Sequence, residues 1–190
     1  MGWYDFEYPP RDESPPEFPH EETTLPKALG ETVLWFEELD NQISTAISFL
    51  LRRGEDVGLI VTSELSFRAK VNLLLALFRN ERPESENLDL LRELCSGCIQ
   101  IEARRNQVMH STWLPDLNRA GVTRHKYTAR GKHGLREQVE RLTLNQVDAI
   151  SCHCGILAHG VDELMFMEFD AEYATLEDPP EVRAAGYGID

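Results

Sequence analysis

The segment QIEARRNQVMHSTW, which runs from Gln100 to Trp113, brings three chemically useful side chains together at Arg105, Asn106 and His110. An imidazole exchanges protons near neutral pH, because its unperturbed pKa is about 6.5. A planar guanidinium matches the shape and charge of a phosphate, including the charge that builds up on it in a transition state. These residue types are suited to proton transfer and to phosphate binding.

The same residues have a simpler structural interpretation. The first part of the same predicted helix has four apolar residues that project in one direction and predict its buried face. They are Leu91, Leu94, Cys95 and Cys98. At 100° per residue, Arg105 projects within about 20° of the centre of that stripe. A buried guanidinium must be paired, border a cleft or lie between two chains, since leaving it alone costs several kcal/mol. The spacing alone is explained by an ion pair between Glu102 and Arg105 that only stabilises the packing of the helix. His110 would then be an exposed residue at the helix end without a catalytic role.

The charge distribution singles out the segment that begins here. The formal net charge is −14, which by itself argues against a nucleic-acid partner. However, residues 1–40 hold 2 basic and 11 acidic side chains, and residues 161–190 hold 1 and 9. Residues 104–141 hold 9 basic and 3 acidic side chains. One basic segment therefore lies between two acidic ends.

Part of this basic segment is predicted to contact phosphates or to stack on a base. It is rich in Arg, Lys and His and contains one tyrosine. The alternative is a solvated loop whose charge offsets the acidic ends. The RNA-binding candidates are Arg119, Arg124, Lys126, Tyr127, Arg130 and Lys132.

Apolar residues at three- and four-residue steps predict the helices that position this site. The stretch VGLIV is ambiguous between strand and helix, and the alternating stretch VTRHKYTARG favours a β-hairpin or an ordered loop. The economical architecture is an all-α, antiparallel four-helix bundle with that basic insertion between the last two helices. The predicted helices cover residues 26–53, Thr62 or Ser63 through Phe78, residues 87–110 and residues 144–169.

Composition divides the chain into one domain with two acidic ends. Residues 1–23 are acidic and proline-rich, which predicts a flexible arm, and residues 173–190 predict an acidic tail. Residues 24–172 form the predicted helical domain, in which residues 112–142 are the basic insertion.

Neither a membrane segment nor a secretory leader is expected from the sequence. The longest apolar runs fall far short of the roughly 20 residues that a bilayer span needs, and the N-terminus lacks the basic and apolar regions of a signal peptide. A cytoplasmic location follows as the expectation. Cys95, Cys98, Cys152 and Cys154 are then predicted to be free thiols instead of disulfides. Because both pairs lie within predicted helices, buried thiols are favoured over a zinc site.

The motif RRNQVMHS resembles the signature of the HEPN superfamily, in which an Arg is followed by a polar residue, three further residues and a His. Arg105, Asn106 and His110 match all three positions. The resemblance covers roughly residues 28–170, and residues 112–142 look like an insertion. It implies a metal-independent endoribonuclease without a cofactor that acts as a homodimer with its two motifs facing a shared cleft. In such an enzyme His110 would be the acid or base, Arg105 would hold the phosphate, and Asn106 would either orient His110 or bind the phosphate. It also implies a toxin or phage-defence protein with a cognate antitoxin as a possible partner.

Two alternatives stay open at this point. One is a noncatalytic HEPN-like module that holds RNA or a nucleotide. The other is a helical protein-interaction module in which Glu102 and Arg105 form a structural ion pair.

Overall fold

The computed structural model describes residues 24–53, 55–115, 122–130 and 134–169. In this part the chain is mostly helical, with five helices and a small three-stranded antiparallel sheet in the order β1-β2-β3. The arm and tail predicted at the two termini lie outside the described residues. The helices are α1 Leu25–Leu51, α2 Glu55–Ser63, α3 Phe67–Glu81, α4 Leu88–Met109 and α5 Leu144–Phe169, and the strands are β1 Thr112–Pro115, β2 Val122–Arg130 and β3 Gly134–Leu142.

The first helix begins and ends with hydrogen-bonded caps. The Thr24 side chain accepts a hydrogen bond from the backbone N–H of Lys27 at 3.4 Å, which satisfies one of the free donors of the first turn. At the other end Arg52 adopts the left-handed conformation with φ 52°, and its N–H donates to the carbonyl of Phe49.

The second predicted helix is in fact two. The ambiguous stretch VGLIV lies in α2, and α3 begins only after Ser66, whose side chain caps the N–H of Ala69. Thr62 does not cap α3, because its hydroxyl donates to the carbonyl of Gly58 within α2 at 2.9 Å. The described part of the chain therefore has five helices, where the sequence predicted four. The boundaries of α4 and α5 agree with the sequence to within one residue.

One apolar cluster holds the helices together. It joins the buried faces of α1, α3, α4 and α5, with Phe78, Leu39, Leu91 and Leu164 fully enclosed. A smaller cluster attaches the base of the sheet to the helices through Ala28, Val122, Leu142 and Val147. No helix in the described residues is both long enough and apolar enough to cross a bilayer.

The sheet occupies the place predicted for the basic insertion. Side chains alternate between its two faces, and the pairs Val122–Leu142 and Arg124–Glu140 lie on the face toward the helices. The pairs His125–Val139 and Tyr127–Glu137 belong to the opposite, outward face. Only Ser111 separates His110 from β1, so the sheet begins directly beside the end of α4.

Candidate active site

The motif residues lie in the last turn of α4 and at its C-cap. His110 is the cap residue, with φ −106° and ψ 40°, and its N–H donates to the carbonyl of Asn106 at 3.3 Å. Its side chain is exposed. Within the described part of the chain, no hydrogen bond or ion pair holds the imidazole, so the ring is open to a ligand.

Arg105 is a half-buried cation on an aromatic ring. Its guanidinium carbon lies 4.8 Å from the centre of the Phe36 ring of α1, and Nη1 donates to Oδ1 of Asn106 at 3.2 Å. Its Nε is buried without a hydrogen-bond partner among the described residues. An unsatisfied buried donor costs about 1–3 kcal/mol, and polar groups in native proteins are rarely left so.

The predicted ion pair between Glu102 and Arg105 requires correction. Glu102 pairs with Arg68 of α3, at 3.6 Å, because its side chain is directed toward that neighbouring helix. Among the residues that the structure describes, no carboxylate takes its place at Arg105. Two of the three motif side chains, Arg105 and Asn106, are in contact, and no described contact joins them to the imidazole of His110.

Sequence reasoning missed a buried charge cluster next to this motif. Arg104 is 9% exposed and makes two parallel hydrogen bonds of 3.1 Å to the two carboxylate oxygens of Glu140. Arg124 is 4% exposed and reaches the same carboxylate, with Nε at 3.0 Å and Nη2 at 2.8 Å. Two guanidiniums thus share one anion between α4 and the sheet.

This cluster also holds the end of α4 in place. Nη1 of Arg124 donates to the carbonyl of Gln107 at 3.3 Å and to Oγ of Ser111 at 3.2 Å. The indole N–H of Trp113 donates to the carbonyl of Val108 at 3.0 Å. These bonds satisfy carbonyls that the last turn of a helix leaves free. Burial raises the pKa of Glu140, but the hydrogen bonds and charges of Arg104 and Arg124 outweigh it, so its pKa is lowered overall.

The RNA-binding candidates are distributed unevenly. Arg124 is buried in the Glu140 cluster and is not exposed to a ligand, so its predicted role in RNA binding gains no support. Its position two residues after the apolar Val122 places both side chains on the inward face of β2. Lys126 is half-buried and Tyr127 is 56% exposed. Arg130 ends β2, where its side chain is not described, and Arg119 and Lys132 lie outside the described residues.

The outward face of the sheet carries a second polar cluster. Nδ1 of His125 lies 2.8 Å from Oε1 of Glu137, and the Tyr127 hydroxyl interacts with the same carboxylate. The hydrogen bonds from His125 and then Tyr127 lower the pKa of Glu137. The Glu137 hydrogen bond in turn raises the pKa of Tyr127. In the sequence, His125 was only one basic side chain among many, and cross-strand pairing with Glu137 is what distinguishes it.

All four cysteines lie within helices α4 and α5. Cys95, Cys98 and Cys154 are buried and free, whereas Cys152 is exposed. Burial raises the pKa of Cys95 and of Cys154 to about 12, although the nearby charge of Arg105 lowers the latter. Across residues 24–169, the described portions contain no group of three or more His, Cys, Asp or Glu side chains that could hold a metal ion.

The candidate site therefore consists of an exposed imidazole and a half-buried guanidinium at the end of α4, next to a sheet that carries a His–Glu–Tyr cluster. Its chemistry must be judged from these residues. The chain matches no protein-family model, and neither the curated proteins nor the solved structures contain a significant match.

Proposed function

We propose that this protein is a metal-independent endoribonuclease of the HEPN type, with Arg105, Asn106 and His110 as its catalytic residues. The observation that supports this most is the guanidinium of Arg105, which lies half-buried on Phe36 without a carboxylate partner in the described residues. A desolvated cation that lacks a counter-ion favours an anionic ligand. The neighbouring guanidiniums of Arg104 and Arg124, by contrast, both pair with the carboxylate of Glu140.

The reaction needs only the groups of the chain and of the RNA. A 2′-hydroxyl loses its proton and its oxygen attacks the adjacent phosphorus, while the bond to the 5′-oxygen breaks and that oxygen gains a proton. His110 moves one of these protons, and Arg105 binds the phosphate as negative charge builds up on it. Asn106 orients the guanidinium through their hydrogen bond. The products are a 2′,3′-cyclic phosphate and a 5′-hydroxyl.

The proposal includes a homodimer as the active form. Apolar side chains on α1 and α5 support it: the Trp35 ring covers Gly155, and the adjacent residues Leu34 and Ile156 are exposed. Phe36, which follows Trp35, is the ring under Arg105. In the proposed dimer the second copy lies on this surface, with the two copies of the motif facing each other. A role as a cytoplasmic toxin or phage-defence protein, held in check by an antitoxin, belongs to the same proposal.

A cleavage assay with matched variants tests the proposed activity. Single-stranded RNA is incubated with the protein in EDTA, and the products are identified by mass. We expect His110→Ala and Arg105→Ala to slow cleavage by about 100-fold or more, and Asn106→Ala to have a smaller effect. A substrate with a single 2′-deoxy nucleotide at the cleaved position should resist cleavage there.

The control variants carry the same substitutions at exposed positions away from the site. His159→Ala on α5 and Arg92→Ala near the start of α4 should cleave at the wild-type rate, because both side chains are largely exposed. Equal cleavage rates for the wild type, His110→Ala and Arg105→Ala would show that this motif does not catalyse RNA cleavage.

A noncatalytic RNA- or nucleotide-binding module is the second candidate. The absence of any described group that orients the His110 imidazole favours it, since general acids and bases are usually held by a neighbour. RNA binding by the wild type that is lost in Arg105→Ala, without cleavage at any pH between 5 and 9, would support this candidate.

A further inference from the structure

The outward face of the sheet holds an imidazole arranged like an acid–base catalyst. Nδ1 of His125 donates to the Glu137 carboxylate at 2.8 Å, which leaves Nε2 free to accept or to give a proton. A carboxylate in this position fixes the ring orientation and stabilises the imidazolium that forms when the ring takes a proton. The Tyr127 hydroxyl interacts with the same carboxylate and helps to lower the pKa of Glu137.

Stability alone does not account for this cluster. The Glu137 side chain is 45% exposed, and ion pairs at such positions contribute little to folding. The side chain of His125, by contrast, is only 19% exposed. A well-oriented imidazole that is partly shielded from water and open at one nitrogen is a feature of catalytic sites more than of structural ones.

Strand pairing places His125 close to His110. Thr112 of β1 lies opposite His125 of β2, and facing residues of antiparallel strands have Cα atoms about 4.5–5.5 Å apart. Thr112 follows His110 by two residues, which span at most about 7 Å. The Cα atoms of the two histidines are therefore at most about 13 Å apart, a separation at which two imidazoles can flank one phosphodiester.

The surroundings of His125 suit an RNA strand. On the outward face its neighbours are Thr112 from β1, Val139 and Glu137 from β3, and Tyr127 on its own strand. Arg141 shares this face and is exposed. Glu137 is therefore the only acidic group among these outward-facing neighbours, Arg141 can meet a phosphate, and the exposed ring of Tyr127 can stack on a base.

We propose that His125, oriented by Glu137, is the second imidazole of the ribonuclease site: it takes the 2′-hydroxyl proton at Nε2 while His110 protonates the leaving 5′-oxygen. This inference rests on the proposed function and deepens it. The 2′-oxygen forms its bond to phosphorus as its proton passes to His125, and the bond between phosphorus and the 5′-oxygen breaks as His110 supplies a proton. No further reactant is needed. Glu137 is a positioning residue, since it acts only through His125.

The pH dependence of single-turnover cleavage tests this assignment. A base must be unprotonated and an acid protonated, so His125 should produce the acidic limb of the kcat profile and His110 the alkaline limb. We expect His125→Ala to lower kcat by about 100-fold or more and to abolish the acidic limb, with KM changed by less than about threefold. Added imidazole should restore part of the rate. Glu137→Gln should lower kcat by a smaller factor than His125→Ala, because the imidazole remains but loses the carboxylate that orients it.

Two further variants separate catalysis from folding. His125→Gln keeps a polar side chain that can donate to Glu137 but has no basic nitrogen, so it should be as inactive as His125→Ala at an unchanged melting temperature. Gln138→Ala, an exposed position between Glu137 and Val139, is the control and should cleave at the wild-type rate.

The outcomes distinguish this inference from the proposed function. If His125→Ala or His125→Gln cleaves within about threefold of wild type while His110→Ala does not, this inference is overturned and the ribonuclease proposal stands. If Arg105→Ala and His110→Ala are as active as wild type, or the wild type does not cleave RNA, both proposals fall together.

Discussion

At the scale of single residues, three guanidiniums near the end of α4 have different electrostatic environments. Arg104 and Arg124 share the carboxylate of Glu140, whereas Arg105 lies over Phe36 with its Nε unpaired. The half-buried carboxylate of Glu140, between two buried guanidiniums, connects α4 to the sheet. A half-buried cation without an anion can bind an anionic ligand. This difference in pairing distinguishes Arg105 from Arg104 and Arg124.

Removing the shared carboxylate should destabilise the protein. In Glu140→Ala, Arg104 and Arg124 are left buried without an anion, which we expect to lower the free energy of unfolding by about 3 kcal/mol. Urea denaturation measures this value. Glu137→Ala, on the outward face of the same strand, is the control and should have a much smaller effect, because its ion pair is exposed to solvent. Equal effects of the two substitutions would contradict the importance of the buried cluster.

The same carboxylate predicts how stability depends on pH. Arg104 and Arg124 lower the pKa of Glu140 below its ordinary value of 4.5 in the folded protein despite the opposing effect of burial. The stabilisation is therefore fully present above about pH 4.5 and is lost as the pH falls through the lower, folded-state value. The difference in unfolding free energy between wild type and Glu140→Gln should shrink at acidic pH, and a difference that is the same at about pH 7 and about pH 3 would contradict this.

At the scale of elements, the close approach of α2 to α1 depends on one glycine. A Cβ built on Gly58 would lie 2.0 Å from Oγ of Ser48 and 2.7 Å from its Cα, so no side chain fits unless one helix moves. The Ser48 hydroxyl is itself held by the carbonyl of Ser44 at 2.8 Å. The short α2 therefore packs directly on the backbone of α1.

A pair of glycine substitutions tests this contact. Gly58→Ala should destabilise the protein by about 1–3 kcal/mol, because the added methyl group forces α2 away from α1. Gly30→Ala in α1 is the matched control: nothing lies within 4 Å of its added Cβ, and alanine is the better helix former, so we expect a gain of about 0.5–1 kcal/mol. Thermal and urea unfolding of both variants measure the two changes, and a loss of stability in Gly30→Ala would show that helix α1 is constrained there by something else.

At the scale of the whole molecule, the exposed apolar residues on α1 and α5 bear on assembly. Leu34 is 71% exposed, Trp35 43% and Ile156 40%, and they lie on the two helices that make the most extensive contact in the fold. Because Trp35 is adjacent to the ring that carries Arg105, assembly through this surface would couple the oligomeric state to the site.

The dimer is tested by placing a charge on this surface. We expect Trp35→Glu to convert a dimer to a monomer in light scattering and to reduce RNA cleavage together with it, since a carboxylate cannot be buried there without a partner. Ile60→Glu on α2, which is 67% exposed, is the control and should leave both the mass and the cleavage rate unchanged. A monomeric wild type with full activity would contradict the dimeric site.

Helices α4 and α5 could be predicted from the sequence almost to the residue, because their apolar positions recur over six or more turns. The break between α2 and α3 could not, since it depends on whether Thr62 bonds backward to Gly58 or forward to cap the next helix. The motif of Arg105, Asn106 and His110 was visible as a spacing, and so was the basic character of the segment after it. Local periodicity and composition were sufficient for these features.

Tertiary structure decided which charges are available. Arg104 and Arg105 are neighbours in sequence, yet one pairs with Glu140, 36 residues away, and the other faces an aromatic ring. The register between β2 and β3 buries Arg124, which the sequence had suggested as an RNA ligand, against Glu140. The same register places Glu137 beside His125. The sequence by itself determined where the helices and the cationic side chains lie along the chain. Which cations are paired depends on contacts between distant residues, and these arise only when the sheet packs against the end of α4.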